Sequence, residues 1–189
     1  AQRSLNRNTG DLNKSMERLS TGYRINRAAD DAAGLVISET LKAQFNGADV
    51  AKSNAQGAIN LLQVAEGDLS VMHDNLQRVR ELTIIAANDT NSSAERAALQ
   101  SEIAARLGEI DRMSEVSSFN GKNLLDGSAG SLSFQVGAGS SSDNQITANV
   151  FGAADSASLG ITTDPATLDT AAAAASFLDE IDTAIGNVS

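Results

Sequence analysis

The sequence predicts a mainly α-helical protein, a rod-like antiparallel bundle of long helices with a small β-hairpin region. Three observations carry this. Apolar residues recur at three-, four- and seven-residue spacings through most of the chain. The stretch from about residue 30 to 87 would extend roughly 85 Å as one helix at 1.5 Å per residue, too long for a compact globule. Large rings are scarce: aromatics make up 3% of the 189 residues, Trp is absent and Tyr23 is the one tyrosine. Ala, Leu, Ile and Val must therefore do the packing, which suits helices laid side by side.

Residues 1–20 place Leu5, Leu12 and Leu19 seven apart with Met16 between two of them, a short coiled-coil seam. Gly22 and TGYRINRAADDAAG interrupt it. Helix signals resume near Asp30–Ala33. Seven-residue positions then read Leu41, Ala48, Ala55, Leu62, Leu69 and Leu76, and their partners three residues on read Gln44, Ala51, Ala58, Ala65, Met72 and Val79. Gly47, Gly57 and Gly67 each cost a helix interior roughly 1 kcal/mol, so tertiary packing must hold this segment. NDTNSS, Asn88 to Ser93, reads as a turn, and Ser92 with Glu95 as a capping box. The helix that follows, 92–117, carries Leu99, Ile103, Leu107, Ile110 and Met113 on one stripe.

FNGKNLLDG, Phe119 to Gly127, contains Asn-Gly and Asp-Gly, strong turn signals. SLSFQV alternates through Leu132, Phe134 and Val136; QITANV alternates through Ile146, Ala148 and Val150. With AGSSSDN between them they predict a hairpin, within a β region covering about 119–165. A last helix, 170–189, has Ala174, Phe177, Leu178, Ile181 and Ile185 as its seam.

Composition excludes several function classes. The net charge of −10 argues against nucleic acid and against an anionic membrane surface. Every Lys and Arg lies at or before Lys122. No run reaches the ~18–20 apolar residues of a membrane span. The N-terminus lacks an apolar signal-peptide core, so an extracellular protein of this sequence uses another export route or has its signal outside this chain. There is no Cys, and His73 is the one histidine, which leaves no thiolate or His-rich metal site. AGSSSDN opens no helix and lacks a Lys-Ser/Thr ending, so it is no phosphate loop. Asp30-Asp31 sits at a helix start, where the dipole favours acids, and reads as structural. No enzyme and no cofactor is expected.

NLQRVRELTIIAAND, Asn75 to Asp89, raises a separate question. Leu76, Val79, Thr83 and Ala86 share one face, and Arg78, Leu82 and Ile85 fall on roughly the opposite side. Two readings stand. A middle helix of a bundle buries two sides, or the second stripe is an interface, where aliphatics flanked by Arg are common. Glu102 lies on the return helix, which should run back antiparallel and bring it near Arg78 or Leu82.

At these residues the chain resembles bacterial flagellin over essentially its whole length. The resemblance rests on NKSMERLSTGYRINRAADDAAGLVISE (Asn13 to Glu39), NLQRVRELTI (Asn75 to Ile84), LGEIDRMSEVSSFNGKNLLDG (Leu107 to Gly127) and LSFQVGA (Leu132 to Ala138). It implies an extracellular subunit of the flagellar filament. Such subunits are exported unfolded through the central channel and polymerise at the tip under a cap protein. Residues 1–27 would be part of the N-terminal core coiled-coil helix and its connecting spoke, and 28–189 the rod domain. The resemblance also implies a chain that starts partway through the N-terminal core helix and lacks the C-terminal core segment and a large outer domain. Those core segments are the pieces that lock subunits together.

In the family, the stretch matching Gln77 to Ile84 packs against neighbouring subunits. In many members it is also the patch read by the vertebrate Toll-like receptor for flagellin, in monomer only. The contact residues fall on Arg78, Leu82 and Glu102; with Gln77 and Ile85 they form the expected interface and recognition set. The alternatives are a hook–filament junction protein, against which FNGKNLLDG and LSFQVGA speak, and a secreted enzyme with a catalytic outer insertion, for which the chain offers no insertion.

Overall fold

The structure, a computed structural model, describes residues 2–189, with backbone only for Val150 and Phe151. Its elements are α1 (Gln2–Thr21), α2 (Ala32–Ala86), α3 (Ser93–Val116), β1 (Ser118–Phe119), β2 (Lys122–Asn123), β3 (Asp126–Gln135), β4 (Gln145–Ala153) and α4 (Ala171–Val188). The fold is mainly α, with long helices and a small β-hairpin region. The chain forms two compact units. One runs to Ser53 and takes in Val136–Asn144; the other comprises Asn54–Gln135 and Gln145–Ser189.

In the first unit, α1 ends where the Gly22 N–H bonds the Arg18 carbonyl at 2.9 Å. Arg27 reaches back to Glu17 at 3.0 Å and Lys14 pairs with Asp30, so the connecting segment is tied to α1 by charge. The Asp31 carboxylate accepts the Gly34 N–H at 2.9 Å and caps the start of α2. The two adjacent acids thus serve separate structural bonds. Little carbon is covered here: Leu5, Leu12, Met16 and Leu19 remain largely exposed.

The second unit holds the core. Side-chain bonds fix the helix directions. Arg78 meets Glu102, Asn75 meets Arg106 and Asp68 meets Ser117, so α3 runs antiparallel to α2. Arg80 meets Asp182 of α4, and Val188 shares a groove with Leu62, Leu69 and His73, so α4 is also antiparallel to α2. Between them lie Met72, Leu76, Val79, Ile103, Ile110, Phe177 and Ile181, all 0% exposed. Leu124 and Leu125, after β2, and Leu168, before α4, close the same core.

The expected seven-residue seam of α2 is only partly a core. Leu41 and Leu62 are 48% and 39% exposed, and the buried positions are Ala51, Leu61, Ala65, Met72, Asn75, Leu76, Val79, Leu82, Thr83 and Ala86. Leu41 lies in the first unit, where little carbon covers α2. At Leu62, in the second unit, a strict seven-residue row departs from the core face because a helix of 3.6 residues per turn drifts about 20° per heptad.

The capping box at Ser92 and Glu95 forms in full. Burial of Asn120-Gly121 is slight, and the two residues make the turn between β1 and β2, at φ 50° and 78°, the left-handed values that favour Asn and Gly. β3 and β4 pair antiparallel, with Leu132 opposite Ala148, Phe134 opposite Ile146 and Gln135 opposite Gln145. Leu132, Phe134 and Ala148 pack on the core, whereas Ile146 is 58% exposed. The side chain of Val150, expected on the same alternating face, lies outside the described residues.

Candidate functional site

The expected set Gln77, Arg78, Leu82, Ile85 and Glu102 lies wholly within the second unit. It divides by burial. Gln77 and Ile85 are exposed, Arg78 and Glu102 are half-buried, and Leu82 is 1% exposed. The placement of Leu82 opposite the seam is therefore corrected. Three residues after Val79, it lies only about 60° from that side chain at 100° per residue, so it joins the Leu76–Val79 face. Leu82 belongs to the core cluster and backs the site from inside. Leu82 therefore does not form a second stripe, and Ile85, at 47% exposure beside Ile84 at 48%, faces outward.

Arg78 is the centre of the exposed face. Its Nη1 donates to Glu81 at 2.9 Å, and its Nε and Nη2 donate to the Glu102 carboxylate at 3.2 and 3.3 Å. The hydrogen bond to Glu81, then that to Glu102, hold the guanidinium pKa above its ordinary value. Two carboxylates on one guanidinium fix its plane in spite of its exposure, so the fork is presented in a set orientation. Gln77 adds an amide one residue before Arg78, and its Nε2 lies 3.4 Å from a ring nitrogen of His73.

Neighbouring residues missed in the sequence reading tie α2 to the elements packed against it. Arg80 pairs with Asp182 at 2.6 Å, which lowers the Asp182 pKa through that hydrogen bond. Arg106 donates to Asn75 at 3.1 Å. Arg96 is buried and bonds the Ala86 carbonyl, with a second bond to the Asn88 carbonyl at 3.1 Å, so a side chain of α3 closes the end of α2. Glu81 was legible, since i,i+3 pairs meet on a helix. Asp182, 102 residues from Arg80, left no local signal.

The arrangement can bind but offers little for reaction chemistry. Its charged groups are already paired, and no group of three or more His, Cys, Asp and Glu side chains is placed to hold a metal ion among the described residues. No helix among the described residues is long and apolar enough to cross a membrane.

The family model for the bacterial flagellin N-terminal helical region matches residues 1–130. The chain is similar to B-type flagellin of Pseudomonas aeruginosa, 54% identical over 136 residues, 72% of this chain and 28% of the relative. It is 52% identical to Flagellin A of Vibrio cholerae over 140 residues, 74% of this chain and 37% of the relative. The chain thus spans well under half the length of these curated relatives. Among solved structures, a crystal structure of Bacillus cereus flagellin superposes with a TM-score of 0.60 at 28% identity, covering 73% of this chain and 77% of that one. The structure of FliC from Burkholderia pseudomallei superposes with a TM-score of 0.50 at 36% identity, covering 55% of this chain and 39% of that one.

Proposed function

Given that the chain belongs to the bacterial flagellin family, we propose that it is the N-terminal and rod-forming part of a structural subunit of the flagellar filament. On this reading the protein is extracellular, works in motility, and has other flagellin subunits as its main partners, with export and cap proteins acting before assembly. Residues 1–27 serve the filament core and 28–189 the rod. The observation that carries the proposal is the pair of faces left for packing. One is the apolar face of α1, Leu5, Leu12, Met16 and Leu19. The other is the Gln77–Arg78–Ile85–Glu102 face, where an oriented guanidinium stands with aliphatic carbon in the pattern of interface hot spots.

The test is addition to flagellar seeds, followed by light scattering, using a flagellin subunit that contains this sequence. Growth is expected with the native sequence and loss of growth with Arg78→Glu. No growth from the native subunit would sink the filament reading and favour the hook–filament junction protein.

The same face supports recognition of monomer by the vertebrate Toll-like flagellin receptor. Arg78, Glu102 and Gln77 are accessible to a partner, and Leu82 contributes only by holding α2 in place. Receptor-reporter cells treated with monomer should lose most of their response to Arg78→Ala, at unchanged helix content by circular dichroism. An undiminished response would remove Arg78 from the contact.

A further inference from the structure

The tripeptide Phe-Asn-Gly occurs twice in this chain, at 45–47 and at 119–121. The first copy lies inside α2 and the second forms the β1–β2 turn. Asn46 and Asn120 are both exposed, so solvent access does not distinguish them. Their backbones do. The Gly47 N–H is held in the helical ladder, and a Cβ built on Gly47 would sit 2.8 Å from the Ala138 Cβ. Gly121 has open space about it, with nothing within 4 Å of a built Cβ. The Asn120 carboxamide and the Gly121 N–H make no hydrogen bond to another described residue. Asn120 is also the one non-glycine among the described residues with positive φ.

The geometry points to Asn120 as a site of spontaneous modification, deamidation through a cyclic imide, with the other Phe-Asn-Gly copy protected by its helix. The Gly121 backbone nitrogen gives up its proton and attacks Asn120 Cγ. The Cγ–Nδ2 bond breaks, and the side-chain nitrogen leaves as ammonia. Water then adds to one of the two imide carbonyl carbons. Opening at Cγ returns the normal backbone as aspartate, and opening at the main-chain carbonyl gives isoaspartate. Nothing is oxidised or reduced, and solvent water is the only co-reactant.

Attack requires the turn to leave its resting conformation, and here little resists. The β1–β2 ladder has two residue pairs, Ser118 with Asn123 and Phe119 with Lys122, so local opening needs far less than opening α2. Opening of the turn stays local because the chain is anchored just beyond it. Leu124 and Leu125 are buried, and the Leu124 N–H bonds the Ser117 carbonyl at 2.9 Å. Aspartate adds a negative charge two residues from Lys122. Isoaspartate adds a main-chain carbon and cannot keep the two-residue register of the turn.

The identical tripeptide is an internal control. The chain is incubated at mildly alkaline pH, folded and in denaturant, and the two peptides are followed by mass spectrometry after digestion. In denaturant both asparagines should convert at similar rates. In the folded chain Asn120 should convert at least about tenfold faster than Asn46, because α2 must open before Gly47 can react. Asn120→Gln should remove the fast signal. A ratio below tenfold, or Asn46 converting first, overturns the proposal.

Discussion

The two halves of α2 carry similar apolar residues and meet opposite fates. Val36, Ile37, Leu41, Phe45 and Val50 are 48–72% exposed; Leu61, Ala65, Met72, Leu76, Val79, Leu82 and Ala86 are at most 6% exposed. Apolar residues in a helix become a core only where other elements supply carbon to meet them. The later half is met by Ile103, Leu107 and Ile110 of α3, by Phe177 and Ile181 of α4, and by Leu124, Leu125 and Leu168. Among the described residues of its own unit the earlier half meets little: Ala51 is buried and Gly47 approaches Ala138, but the large apolar side chains stay exposed.

The largest effect that could break this comparison is a core truncation. Leu76→Ala should destabilise the second unit by about 2–5 kcal/mol, and Phe177→Ala by about 3–5, in urea unfolding. Phe45→Ala should stay within about 0.5 kcal/mol, despite removing as large a ring. Equal losses from Phe45 and Phe177 would show that exposure does not separate the two halves.

A smaller loss is expected where α2 ends. Arg96→Ala leaves the Ala86 and Asn88 carbonyls without their guanidinium donors, at about 1–3 kcal/mol, and Lys should not restore the two-pronged bond. Ser92→Ala removes the α3 cap, and a loss of about 1 kcal/mol should appear as a lower urea midpoint at unchanged slope.

The smallest effect concerns pH. Burial pushes the Glu180 carboxyl up, but donors from Thr163 and Thr162 outweigh it and hold the pKa below its ordinary value. A carboxyl with a depressed folded pKa stabilises the fold above its unfolded pKa and loses that contribution as pH falls through the folded value. Tm measured from neutral to acidic pH should fall less steeply for Glu180→Gln than for the native chain. An unchanged acid limb would mean that the Thr162–Thr163 clamp contributes nothing.

Local features were legible in the sequence. The helix bounds of α2, α3 and α4 lie within two residues of those expected, because caps, turn residues and apolar spacing are short-range signals. Ser92 with Glu95 and Asn120-Gly121 did what their chemistry requires. Leu82 was misplaced because it lies near the edge of the α2 seam, where the choice between core and surface depends on packing by other elements. The Phe-Asn-Gly pair makes the same point at tripeptide scale: one sequence is a helix in one context and a turn in the other. In the candidate site, Arg78 and Glu102 were brought together as expected, since a short turn joins their helices. Arg80 with Asp182 required knowledge of where α4 docks.

The spacing of these side-chain pairs along the chain also sets an order in time. Arg78 and Glu102 are 24 residues apart, and Asn75 and Arg106 are 31 apart, whereas Arg80 and Asp182 are 102 apart. Closing a short loop loses less chain entropy than closing a long one, and local contacts form faster. The α2–α3 hairpin should therefore gain amide protection before α4 in pulse-labelled hydrogen exchange. A helix that joins late also leaves early, so the first event on mild heating should be the departure of α4 from an α2–α3 pair that is still zipped.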